Sequence, residues 1–143
     1  MNVNDVYLGN PNLKKANTQI EFTEEQVIEF LKCKEDPVYF ANNYMKIVSL
    51  DEGLVQFKPY DFQERLINNF HENRFNICKM PRQTGKSTTS VAYLLHYCVF
   101  NDSVNIGILA NKAATARDLL GRLQTAYENL PKWMQQGIIS WNK

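Results

Sequence analysis

Apolar positions along the chain switch between helical and strand-like spacing, with turn chemistry at each change. Met1 to Gln19 mixes Asn, Gly, Pro and Lys without any period and is expected to be an irregular arm on the surface. Thr23-Glu24-Glu25-Gln26 is a capping box, in which the Thr23 hydroxyl accepts from the Gln26 amide while Gln26 reaches back. A helix is expected from there, with Val27, Ile28, Phe30 and Leu31 on its apolar face. Asp36-Pro37 supplies an N-cap and a first-turn proline for a second short helix carrying Val38, Phe40, Ala41 and Tyr44. Ile47-Val48 and Leu54-Val55-Gln56-Phe57 flank Asp51-Glu52-Gly53, which predicts a hairpin stopped by Pro59.

Past Pro59 the two periods alternate over longer segments. Phe62, Leu66, Ile67 and Phe70 mark a helix from Asp61, and Phe75 to Met80 reads as a strand. A polar loop then leads into a helix expected to bury Val91, Leu94, Leu95, Cys98 and Val99, which Asn101-Asp102-Ser103 breaks. Val104 to Ala110 reads as a second strand. Ala116, Leu119, Leu120, Leu123, Ala126, Tyr127 and Leu130 mark a last amphipathic helix, stopped by Pro131. Strand, loop, helix, strand, helix is the repeating unit of a parallel sheet with right-handed crossovers, so the expected fold class is α/β. The chain divides into an amino-terminal helical and hairpin region, residues 1–58, and the first part of a parallel layer, residues 59–143. Gly137 to Lys143 reads as the opening of a further strand. Two parallel strands do not complete a doubly wound domain, so the chain is expected to be the amino-terminal part of something larger.

Composition narrows the class. A length of 143 residues, 44% of them hydrophobic and 22% charged, fits one globular domain and not a disordered tail. Sixteen Lys and Arg against 15 Asp and Glu leave a formal charge of +1, so any nucleic-acid contact must come from a local patch. Cys33, Cys78, Cys98, His71 and His96 show no Cys-x-x-Cys spacing, which argues against a disulfide framework or a structural zinc. The amino terminus has no basic region followed by an apolar run, and no stretch nears the roughly 20 apolar residues that span a bilayer. A soluble protein of a reducing compartment is expected.

The chemistry lies in Met80-Pro81-Arg82-Gln83-Thr84-Gly85-Lys86-Ser87, between the first expected parallel strand and its helix. In loops of the pattern Gly-x-x-x-x-Gly-Lys-Ser/Thr, backbone amides and the helix N-terminus surround the β- and γ-phosphates. The lysine and the hydroxyl handle phosphate charge and Mg²⁺. Gly85, Lys86 and Ser87 fit; Met80 replaces the first glycine. Arg82 could neutralise charge as a γ-phosphoryl group departs, or could be an exposed arginine screened by solvent, and spacing leaves both open. Upstream, Tyr60, Phe62 and Gln63 offer aromatic faces and a carboxamide that could stack on a purine and pair with its edge, although Phe62 has equally the spacing of a core residue.

Taken together, these residues resemble the large terminase subunit of tailed double-stranded-DNA bacteriophages, of the T-even-like myophage type. The resemblance rests on Asp36-Pro37-Val38-Tyr39-Phe40, Tyr60-Asp61-Phe62-Gln63, Arg82 to Ser87, Ile106-Gly107-Ile108-Leu109-Ala110-Asn111-Lys112 and Pro131 to Lys143. It implies a P-loop ATPase fold of the additional-strand class, with ATP and Mg²⁺ as cofactors. Lys86 would act on the β- and γ-phosphates, Ser87 would hold Mg²⁺, and Arg82 would be the arginine acting in cis on the γ-phosphate. Phe62 and Gln63 would recognise adenine, while Pro81, Gln83, Thr84, Gly85 and Thr88 would complete the nucleotide site. Asn111 and Lys112 are possible DNA-side or coupling contacts, or Asn111 merely caps a helix.

The function implied is ATP-driven packaging of double-stranded DNA into a procapsid, at its portal in the host cytoplasm. Partners implied are the DNA, the portal protein, the small terminase subunit and further copies in a ring; no membrane is involved. The Walker B acids and the nuclease would lie past Lys143, since Asp51-Glu52 reads as a turn. The isolated chain is accordingly expected to lack turnover. Other readings are a helicase-like P-loop ATPase and a catalytically inert nucleotide-binding fragment.

Overall fold

The computed structural model describes residues 5–49 and 51–142; the first four residues of the expected arm, Leu50 and Lys143 lie outside the described residues. In chain order the elements are strands β1 (Val6–Tyr7) and β2 (Asn10–Lys14), helices α1 (Glu24–Glu35) and α2 (Pro37–Tyr44), strands β3 (Lys46–Ser49) and β4 (Gly53–Gln56), and helices α3 (Asp61–Glu72), α4 (Lys86–Phe100) and α5 (Ala113–Glu128). The class is mixed α/β, with two separate antiparallel pairs, β1–β2 and β3–β4.

Local chemistry sets the first helices. Thr23 and Gln26 exchange the two bonds of the capping box, at 3.2 and 3.1 Å. The Asp36 carboxylate accepts from the Tyr39 amide at 2.8 Å, one residue ahead of Pro37. The packed face of α1 differs from the expected one, because Val27, Ile28 and Leu31 are exposed while Cys33 is fully buried and Phe30 half-buried. Polar bonds fix this roll. The Glu29 carboxylate accepts from the hydroxyls of both Tyr39 and Tyr44, each at 2.9 Å, which turns that side of α1 onto α2.

The core forms around α4, whose Val91, Ala92, Leu95 and Val99 are buried among residues of α2, α3 and α5. Phe40 of α2 meets Phe100 at 5.4 Å and His96 at 5.5 Å between ring centres, in edge-on geometry. His96, 2% exposed, takes up its Nε2 with the Cys33 carbonyl at 2.9 Å, tying α4 to the end of α1. On α3, Leu66 and Ile67 are buried as expected; Gln63 replaces Phe62 on that face.

Two expectations are corrected. Phe75 to Met80 and Val104 to Ala110 join no sheet, and Phe75, Ile77 and Leu109 are almost wholly exposed. The apolar run makes each segment strand-like, but a strand exists only when its N–H and C=O groups find a neighbour. None of the described strands lies beside either segment, so the described residues contain no parallel sheet.

The described part of the arm, from Asp5 onward, carries a hairpin instead of an irregular course. Leu8 (φ +46°) and Gly9 (φ +78°) turn β1 into β2 as a two-residue hairpin loop, and Leu13 is buried. Leucine at positive φ is unusual, which is why the turn lacks a sequence signal. The carboxyl-terminal segment holds this hairpin. Lys15 and Ile138 form an isolated parallel bridge, with Ile138 N donating to Lys14 O and Ala16 N to Ile138 O. Beside it the buried Gln135 accepts from Lys14 N and donates to the carbonyls of Asn12, Tyr127 and Leu130.

Gln135→Leu keeps the bulk but leaves those backbone groups without their partner, and should cost about 3 kcal/mol in a urea unfolding series. A loss below about 0.5 kcal/mol would show the clamp to be dispensable. A pH dependence follows from His96. Burial, with His71 adding to it, lowers its pKa to about 4 against the Cys33 hydrogen bond. The unfolded chain takes up this proton near pH 6.5 and the folded chain only near 4. Stability is therefore full above about 6.5 and is lost as pH falls toward 4, by up to about 3 kcal/mol. Unfolding midpoints between pH 7 and 4 should fall less steeply for His96→Gln than for the parent; parallel slopes would assign the effect to other groups.

Candidate phosphate-binding site

The polar loop turns into α4 through two residues in the left-handed region, Gln83 at φ +62° and Gly85 at φ +74°. Gly85 is the N-cap, and no side chain caps the helix. The first amides of α4, on Lys86, Ser87 and Thr88, have no intrahelical acceptor by virtue of their position. They sit at the positive end of the helix dipole, the environment an anion selects.

Other side chains brace the loop from within. The Thr84 hydroxyl donates to Pro81 O at 3.1 Å, and the buried Thr89 hydroxyl donates to Gly85 O at 3.0 Å. The half-buried Lys86 folds back over the loop, its ammonium donating to Met80 O at 3.2 Å and also to Pro81 O. A cation is thus held beside the uncapped helix end. Ser87 is exposed in the first turn, and Arg82 is exposed with no hydrogen bond or ion pair among the described residues.

Gln63 joins the loop to α3. Its Oε1 accepts from Tyr60 N at 2.9 Å and its Nε2 donates to Thr84 O at 3.1 Å, so both ends of the carboxamide are engaged. A Cβ on Gly85 would lie 2.4 Å from Gln63 Nε2, so a larger residue here would push the carboxamide aside as well as strain a positive φ. Phe62 points away from the core, 37% exposed, and stacks on Tyr60 at 5.8 Å with 9° between the rings. The structure therefore brings Gln63, Thr84, Gly85 and Lys86 together, with the Tyr60–Phe62 pair outside them.

Other residues lie apart from this group. Lys112, not Asn111, is the N-cap of α5, and its side chain makes no capping bond. Thr88 lines a cavity of about 590 Å³ between β3, α4 and α5 that also takes in Asp118 and Arg122, an exposed ion pair at 3.0 Å. Among the described residues no three His, Cys, Asp or Glu side chains gather as metal ligands, and no helix is long and apolar enough to cross a membrane. The binding of Gln63 to the loop was not legible beforehand. Half of its arrangement was, since a Gln three residues into a helix is the reach-back partner of a capping box. No protein family model matches the chain.

Two glycines separate strain from contact. Gly53 has φ +73° with open space around a would-be Cβ, whereas Gly85 has the same φ and the Gln63 contact. Gly53→Ala should cost about 1 kcal/mol, the left-handed penalty alone. Gly85→Ala should cost about 3 kcal/mol, because Gln63 must also give up its bonds. Equal losses in denaturant titrations would show that Gln63 moves aside freely.

Proposed function

We propose that this chain is the nucleotide-binding part of a phage DNA-packaging ATPase of the large-terminase kind, built on a P-loop fold of the additional-strand class. The observation that carries the reading is the uncapped N-terminus of α4 with the Lys86 ammonium held beside it over a left-handed glycine. Phosphate oxygens would replace the carbonyls that now receive Lys86 and would take the free amides of the first turn.

The residues present fit ATP. Lys86 would neutralise the β- and γ-phosphates, and Ser87 would offer its hydroxyl to Mg²⁺. Arg82, exposed and without a partner among the described residues, would swing to the γ-phosphate. Its guanidinium fork would there oppose the charge that develops in phosphoryl transfer. Tyr60 and Phe62 would receive the purine face. Bound ATP supplies the phosphoanhydride whose cleavage drives the motor. The partners of this reading are double-stranded DNA, the portal, the small subunit and further copies in a ring, in the host cytoplasm.

Calorimetric titration of the chain with Mg²⁺ and ATP tests the assignment. Lys86→Ala should weaken binding at least about tenfold, the loss of a charged hydrogen bond to phosphate, with an unchanged circular dichroism spectrum. Arg82→Lys should bind within about threefold of the parent, since its role falls in the transition state. ATP affinity unaffected by Lys86→Ala would end the phosphate-loop reading.

A further inference from the structure

We propose that Gln63 is a positioning residue that sets the orientation of the Thr84–Gly85 peptide and so presents the Gly85 N–H to phosphate, instead of reading the edge of a base. The functional half of this rests on the nucleotide reading above. Gln63 is 4% exposed, and its two polar atoms already hold Tyr60 N and Thr84 O. Each atom keeps one further hydrogen or lone pair, but at this burial a base would reach it only if the loop or the start of α3 moved away.

The consequence for the loop follows from peptide geometry. No cis peptide is present among the described residues, and in a trans peptide the C=O and the following N–H point in opposite directions. Pinning Thr84 O toward α3 therefore aims the Gly85 N–H away from α3. Gly85 at φ +74° then carries the chain into α4, where the next amides stand open. Gln63 takes its own position from the α3 N-cap, through Tyr60 N. The start of α3, which carries the Tyr60–Phe62 stack, and the phosphate loop thus share one carboxamide.

Inorganic tripolyphosphate, which has no base, separates the two roles. Gln63→Glu retains the acceptor for Tyr60 N but loses the donor to Thr84 O. It should weaken tripolyphosphate and ATP by the same factor, about tenfold. The deficit relative to the parent should narrow as pH falls and the carboxyl regains a proton to donate. Gln63→Met, of similar shape and uncharged, provides the same comparison if the carboxylate unfolds the chain. Weakened ATP with unchanged tripolyphosphate would make Gln63 a base reader and overturn the proposal, as would no change for either ligand.

A second readout needs no ligand. Amide exchange at Thr89, whose N–H bonds to Gly85 O at 2.9 Å, should quicken in either variant while exchange in the interior of α5 stays as in the parent. If the parent chain binds neither ligand, the nucleotide reading fails and this exchange alone decides the structural tie; unchanged exchange would overturn that too.

Discussion

Helix α4 must be buried along its length and yet open at its first turn, and much of the molecule serves that double constraint. Burial comes from α2, α3 and α5, which cover Val91, Leu95 and Val99, while the His96 ring reaches the last turn of α1 through the Cys33 carbonyl. Openness comes from a loop that supplies no capping side chain to Lys86, Ser87 or Thr88. An N-terminus without a cap forgoes about 1 kcal/mol, which the packed remainder of α4 offsets through apolar burial. The loop keeps its shape because its ties run outward to α3 and inward to its own carbonyls, leaving the amides unspent.

Carboxamides do at helix ends what the loop withholds from the start of α4. Gln56 donates to Ala41 O in the last turn of α2, Gln136 to Val99 O in the last turn of α4, and Gln135 to Tyr127 O in the last turn of α5. The Ala41 and Val99 carbonyls have no intrahelical donor to compete with, and Tyr127 O adds the Gln135 bond to the one it receives from Leu130 N. Each glutamine bond also comes from another segment, so helix termination and tertiary assembly are the same event. A glutamine suits this task because it is neutral, long enough to cross between elements, and able to donate and accept at once.

What the sequence disclosed follows from the range of the interactions involved. The Thr23–Gln26 box and the Asp36–Pro37 start are decided within four residues, and both form as read. The left-handed φ that favours glycine at the entry to α4 is likewise local. The roll of α1 was misread because Glu29 answers to Tyr39 and Tyr44, which periodicity ignores. The arm was misread because Leu8 accepts a left-handed turn that the distant Gln135 and Ile138 hold in place. Gln63 and Gln135 look like surface residues by composition, and only the completed fold shows that buried backbone groups await them.

The pairing of residues 14–16 with Ile138 also gives the molecule a mechanical character. The two segments run parallel, so opposite tension on the chain before β2 and after Ile138 slides them lengthwise past one another. Their hydrogen bonds, Ile138 N to Lys14 O and Ala16 N to Ile138 O, then share the load at once instead of parting one after another. Gln135 adds its bonds to Asn12 and Lys14 in the same place. Such a seam acts as a fastener in shear, and it carries tension directly between the two flanking segments while α3, α4 and the phosphate loop between them stay unstressed.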